Sequence, residues 1–293
     1  MARKNQLDKC FKIIEDFFDR SESKSFSENK FKEIFNLNRY NWGVPSNKYS
    51  NHLLTYLLNR NILFENTFSD ASNEHKVIYS WKTKDEFTVI SGLKSDSYFA
   101  HYSALYLHQL SLQIPKTVYL NFEHKCNISS NIEGNFLTQE SIDKAFKGSQ
   151  RKSSLQYSFL DKKVIITNGK YTGKLGVVKR KNSEQCFEYT DIEKTLIDIS
   201  VRPVYAGGVF EVVEAYKLAK GKLNVSKMAD YLAKLNYIYP YSQVIGFYLE
   251  KAGYNENEME HFKKKMNFNF YLTYDIRNKE FSERWKLYYP KGM

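Results

Sequence analysis

Five side chains at helical spacing, Lys48, Asn51, His52, Thr55 and Asn59, bring together ammonium, amide, imidazole and hydroxyl groups without a carboxylate. At about 100° per residue they share one face of a helix, and Ser50, Leu53, Leu54, Leu57 and Leu58 share the other. An asparagine can make bidentate contact with adenine, and a lysine reaches guanine or phosphate, so this face has the chemistry of a base-reading helix. Any exposed helix face is polar; the absence of acid across this one weighs towards DNA. His75 and Lys76 add cationic chemistry on a strand-like run shortly after it. A second basic group, Lys179, Arg180 and Lys181, closes a stretch from Lys144 to Lys181 that holds eleven basic residues and one acid, Asp161. Such a stretch is either a solvated surface or a stripe facing phosphates.

The other constellations carry less. Gly169-Lys170-Tyr171-Thr172-Gly173-Lys174-Leu175-Gly176 has the wrong glycine spacing for a phosphate loop, and Leu175 stands where a hydroxyl should follow the lysine. His101 and His108 lie two turns apart on an apolar run and suit the core. His124 and Cys126 lack the local partners of a zinc site. Glu188, Asp191, Glu193 and Asp198, with Lys194 and Arg202 nearby, are the one grouping a two-metal nuclease could use. On a helix, however, Asp191 and Glu193 diverge by about 200°. Asp191 suits the first turn of a helix, where an acid is favoured. No catalytic residue, metal ligand or cofactor is therefore expected.

The elements that must position these residues follow from periodicity. Leu7 to Arg20 predicts an amphipathic helix, and Ser27 caps a second that contains Phe31, Ile34 and Phe35. Pro45 suits the start of a third, running to about Arg60. Strands at Ile62–Glu65 and Lys76–Trp81 flank a polar loop from Asn66 to His75. Three helices and a two-stranded ribbon are the order of a winged helix-turn-helix, placed here at residues 1–86.

The remainder, 87–293, predicts a larger α+β body. Strands are expected at Phe87–Leu93, Val118–Phe122, Lys163–Thr167, Lys174–Val178, Phe268–Tyr274 and Trp285–Tyr289. Helices are expected at Tyr98–Leu110, Ser141–Phe146, Asp191–Ile199 (capped by Thr190), Val209–Lys220, Val225–Leu235 and Tyr241–Ala252, most of them within 190–253. Ala206-Gly207-Gly208 breaks the chain before one of these.

With 293 residues, 42% of them hydrophobic and 16% aromatic, the chain can bury a sizeable core, which excludes a wholly disordered protein. The net charge of +11 favours an acidic partner. Residues 91–187 alone carry +7, against +2 for each flanking region, so the excess is local. No long apolar run predicts a membrane span, and the charged amino terminus does not resemble a signal peptide. Three widely spaced cysteines (Cys10, Cys126, Cys186) fit reduced thiols, and a cytoplasmic protein is expected.

Three stretches carry a family resemblance: Phe99-Ala100-His101-Tyr102-Ser103-Ala104-Leu105-Tyr106-Leu107-His108, Tyr189-Thr190-Asp191-Ile192-Glu193-Lys194-Thr195-Leu196-Ile197-Asp198, and Tyr205-Ala206-Gly207-Gly208. Together they resemble the AbiEi-type antitoxins of type IV toxin–antitoxin (abortive infection, phage-defence) systems. The likeness spans roughly residues 7–260, and Lys194 stands where the family often has arginine. It implies a winged-helix antitoxin that represses its own operon by binding inverted repeats in promoter DNA. It also implies a nucleotidyltransferase-like toxin as functional partner, with or without direct contact. The alternatives are a nuclease-like DNA enzyme using the carboxylates near Asp191, or a protein-interaction module in phage defence.

Overall fold

Cys10, Ile14 and Phe18 recur every four residues, and all three are buried in a cluster of aromatic rings. Phe18 stacks on Trp81 at 4.8 Å and on Phe31 at 6.1 Å between centroids. The structure, a computed structural model, describes residues 6–124, 137–263 and 266–293. The expectations for the first five residues and for Cys126 fall outside these.

The chain forms two compact units, and neither is contiguous. The first takes Met1–Ser97, Gln156–Val164 and Lys179–Glu188; the second takes Tyr98–Leu155, Ile165–Val178 and Tyr189–Met293. The break expected after residue 86 thus falls after Ser97, and two later segments return to the first unit. Backbone pairing and side-chain caps bind them there. Ser158 and Tyr157 pair with Ser69 and Asp70, and Glu184 O accepts the Thr83 hydroxyl at 2.8 Å.

In chain order the first unit begins α1 (Phe11–Arg20), β1 (Ser25–Ser27), α2 (Glu28–Asn38), α3 (Ser50–Asn59), β2 (Leu63–Asp70), β3 (His75–Trp81) and α4 (Glu86–Ser91). β3 lies between β1 and β2, antiparallel to both. Ser27 caps α2 as its position predicts, its Oγ accepting the Lys30 N–H at 3.3 Å. Three expectations change. Pro45 does not start α3: its carbonyl closes a turn on Lys48, and the helical ladder begins only at Tyr49 O. β2 runs on through the expected polar loop to Asp70, whose carboxylate then accepts from the N–H groups of Ser72 and Glu74 to close a tight turn. Phe87–Leu93 is not a strand. Asp85 caps Thr88 N at 2.8 Å and starts the short helix α4, buried along Phe87, Thr88, Val89 and Ile90. A short apolar run buried all round has no periodicity to separate helix from strand. Gly92 ends it in close approach: a Cβ there would lie 2.8 Å from both Ile78 and Ser25.

The second unit is mixed α+β around its own apolar core, from Leu105 and Leu196 to Tyr248 and Leu287. Helices at Gln139–Lys147, Val209–Ala219, Val225–Leu235 and Tyr241–Lys251 match the periodicity. The apolar stretch from Tyr98 divides instead. Phe99 pairs in parallel with Tyr189, and only His101–Leu107 is helical. The helix Ile192–Val201 is capped by Asp191, which accepts Lys194 N–H, and not by Thr190. At the carboxyl end Phe270–Tyr271 pairs in parallel with Leu287–Pro290, which also pairs with Lys279–Ser282. The expected strand Lys174–Val178 begins instead as a turn, closed by Val177 N–H on Lys174 O at 3.0 Å, and extended structure starts only at Val177. Among the described residues no helix is long and apolar enough to cross a membrane.

Candidate nucleic-acid interface

α3 buries Leu53, Tyr56 and Leu57 against the first unit's core, which turns Asn51, His52, Thr55 and Asn59 out to solvent. Lys48 is half-buried in the turn before the helix. These five side chains line one cleft of about 230 Å³, with Leu7 and Tyr56 completing it. Among the described residues no carboxylate lines it. Asp8 is not a lining residue; its Oδ1 accepts from the Tyr56 hydroxyl at 2.7 Å and from Arg60 at 3.0 Å. Burial and the bond to Asp8 push the Tyr56 hydroxyl up to about 12. Asn51 Oδ1 accepts the His52 N–H at 2.9 Å, so bidentate contact with a base needs the Asn51 amide to turn outwards first.

The approach to α3 is fixed by a residue the sequence did not single out. Arg39 Nη2 donates to Ser46 O at 3.1 Å and to Lys48 O at 3.4 Å, and the guanidinium lies 5.5 Å from the ring centroids of Phe35 and Tyr40. It braces the turn that delivers Lys48 and the first residues of α3. An arginine in a polar loop gives no sequence signal for such a role.

The other candidates do not join this cleft. His75 is exposed, with its Nδ1 3.0 Å from Ser69 Oγ. Lys76 turns inwards: its Nζ donates to Leu93 O at 2.7 Å, and burial holds its ammonium below the ordinary lysine range. The turn before His75 is flanked by Asp70 and Glu74, which disfavours phosphate contact there. Lys179 and Lys181 both pair with Glu22, the second at 2.9 Å, and their ammonium groups hold its carboxyl down at about 2. Arg180 lies 5.7 Å from the centre of the Phe187 ring. Glu22 precedes β1, where Ser25 pairs with Ser80. That pairing puts the Lys179–Lys181 strand at the end of β3 away from the Ala71–Glu74 turn, six residues or roughly 20 Å distant at 3.3 Å per residue. The basic triple and the hairpin tip therefore occupy opposite ends of this hairpin.

The acidic grouping has a structural answer within the second unit. Lys227 Nζ lies 2.9 Å from both Asp191 Oδ2 and Glu193 Oε2. The expected divergence fails because Asp191 is the cap and not a helical residue, so the 100° rule does not apply to it. Asp191 Oδ2 also accepts from Tyr231 OH at 2.9 Å, and Glu193 Oε1 accepts Asn224 N–H at 3.0 Å. Burial pulls the Glu193 carboxyl up, but Lys227 and the Asn224 amide outweigh it and hold it below the usual range. Asp198 pairs with Lys194 in the buried interior. Gly176 belongs to the same network. It accepts Asp191 N–H at 2.7 Å with φ of +71°, and a Cβ there would meet Lys194 at 2.7 Å. His108 Nε2 lies 2.8 Å from Thr190 O, as a core imidazole would. His101 is only half satisfied, with no partner for Nδ1. Among the described residues no group of three or more His, Cys, Asp or Glu side chains is placed to hold a metal ion.

No family model matches this chain, and no curated protein does. Among solved structures, the crystal structure of the RV2827C protein from Mycobacterium tuberculosis is similar, with a TM-score of 0.54 at 9% sequence identity. The match covers 96% of this chain and 91% of that one. At that identity the likeness concerns the fold alone, a mixed α+β architecture over nearly the whole length.

Proposed function

We propose that this chain is a DNA-binding antitoxin of the AbiEi type that represses its own operon, with the first unit serving as a winged helix-turn-helix. The observation that carries the reading is the α3 cleft: Lys48, Asn51, His52, Thr55 and Asn59 converge on one surface that holds no acid among the described residues. The order of α1, β1, α2, α3 and the β2–β3 hairpin supports it. So does the engagement of Asp191, Glu193 and Asp198 by Lys227, Lys194 and Tyr231, which gives these three carboxylates a structural role. In this reading α3 enters the major groove at promoter repeats. The second unit counters a nucleotidyltransferase-like toxin.

The two activities separate genetically. A reporter under the DNA upstream of the gene should be repressed by the wild-type chain and released by Asn51→Ala. The same variant should still rescue growth when the neighbouring gene's product is expressed. Absence of repression by the wild type would sink the regulator reading, and absence of rescue would sink the antitoxin reading.

A further inference from the structure

The start of α3 fixes the chemistry of one ring. The backbone N–H of Tyr49 donates to His52 Nδ1 at 3.1 Å. A backbone N–H has no acceptor capacity, so Nδ1 holds a lone pair and the neutral ring carries its proton on Nε2. His52 occupies the third helical position, where a glutamate or glutamine side chain reaches back in the same way in a capping box. The Tyr49 ring, 5.9 Å from the imidazole, limits its freedom further. His52 is exposed and lines the cleft with Lys48, Asn51 and Thr55.

We propose that His52 is a specificity-determining residue held as the Nε2–H tautomer, so that it presents a hydrogen-bond donor to an acceptor on a DNA base edge. This rests on the DNA-binding reading above and deepens it. The major-groove acceptors are guanine N7 and O6, adenine N7 and thymine O4; the cytosine amine is a donor and is rejected. The cap thus does two things at once. It closes the first turn of α3, and it decides the polarity that the ring shows to a base.

Three variants of the full chain separate these effects. His52→Gln can place its oxygen on Tyr49 N–H and turn its amide N–H outwards, which preserves both. His52→Glu preserves the cap but presents an acceptor, and His52→Ala removes both. The probe is a duplex selected from a randomised pool by the wild-type chain, measured beside a scrambled duplex. The ratio of the two affinities should survive in His52→Gln and fall about 10- to 100-fold in His52→Glu and His52→Ala, the worth of one good base contact. Loss on both duplexes alike, with the ratio intact, would mean only charge or stability had changed and would overturn the proposal. Nitrogen NMR of the free chain reads the tautomer without DNA, and a proton on Nδ1 in the neutral ring would overturn it even if DNA binding stands. A wild-type chain that selects no duplex would overturn the DNA reading, and this role with it, while leaving the tautomer measurement intact.

Discussion

His101 begins its helix with φ of +54°, a left-handed backbone, and is only 6% exposed. Such a conformation costs a bulky residue about 1–2 kcal/mol, so it persists only where the surroundings enforce it. Here the ring packs 5.0 Å from Tyr205 and 6.0 Å from Tyr119. Burial, with Lys194 and Arg202 nearby, holds the imidazole neutral down to about 3. The unfolded chain takes up this proton near 6.5, and the folded chain refuses it until about pH 3, so stability present above 6.5 is lost across that window. Chemical denaturation should show about 2 kcal/mol less stability at pH 5 than at pH 7 from this group, at about 1.4 kcal/mol per unit below 6.5. His101→Gln should lack that share of the slope; equal slopes in both proteins would refute the assignment. Lys227 makes a second residue-scale case. Its ammonium is the shared partner of two nearly buried carboxylates, so Lys227→Met should cost about 1–3 kcal/mol in a denaturant titration. A neutral change would mean that Tyr231 and Asn224 suffice to hold them.

Among the elements, legibility followed exposure. α2 with its Ser27 cap and the helix Val225–Leu235 alternate apolar and polar faces, and their positions could be read directly. α4 could not be read: both of its sides are buried, so its sequence lacks the polar stripe that marks a helix. The hairpin was legible in outline but not in polarity. Only the structure shows that Lys76 faces inwards and that Glu22, more than 150 residues away in sequence, is the partner of Lys179 and Lys181. Charge counting had offered those two lysines and Arg180 as phosphate anchors. With the two lysines paired to Glu22 and all three cations remote from the hairpin tip, they should release few counterions. Changing Lys179, Arg180 and Lys181 to Gln should leave the slope of log affinity against log salt within about one unit, where three phosphate contacts would flatten it by about 2.7. A flattening near that larger figure would put this strand on DNA after all.

At the scale of the whole molecule, the basic stretch from Lys144 to Lys181 was legible as composition but not as one surface. The chain deals it to both units: Lys162, Lys163 and Lys179 to Lys181 go to the first, and Lys144, Lys147, Arg151, Lys152, Lys170 and Lys174 to the second. Two compact units that interleave in sequence cannot be drawn as a single boundary, because strand pairing between distant segments leaves no local trace. Asn51, His52, Thr55 and Asn59 line one cleft because an amphipathic helix on a core has only one outer side, and Lys48 joins them from the turn before α3. The central claim is that this face reads bases. It is tested most directly by equilibrium binding of the full-length chain to its own upstream duplex and to a scrambled one, for wild type and Asn51→Ala, at one fixed salt concentration. The account predicts that Asn51→Ala loses about 1–3 kcal/mol on the upstream duplex and little on the scrambled one. Equal losses on both, or no preference in the wild type, would contradict it.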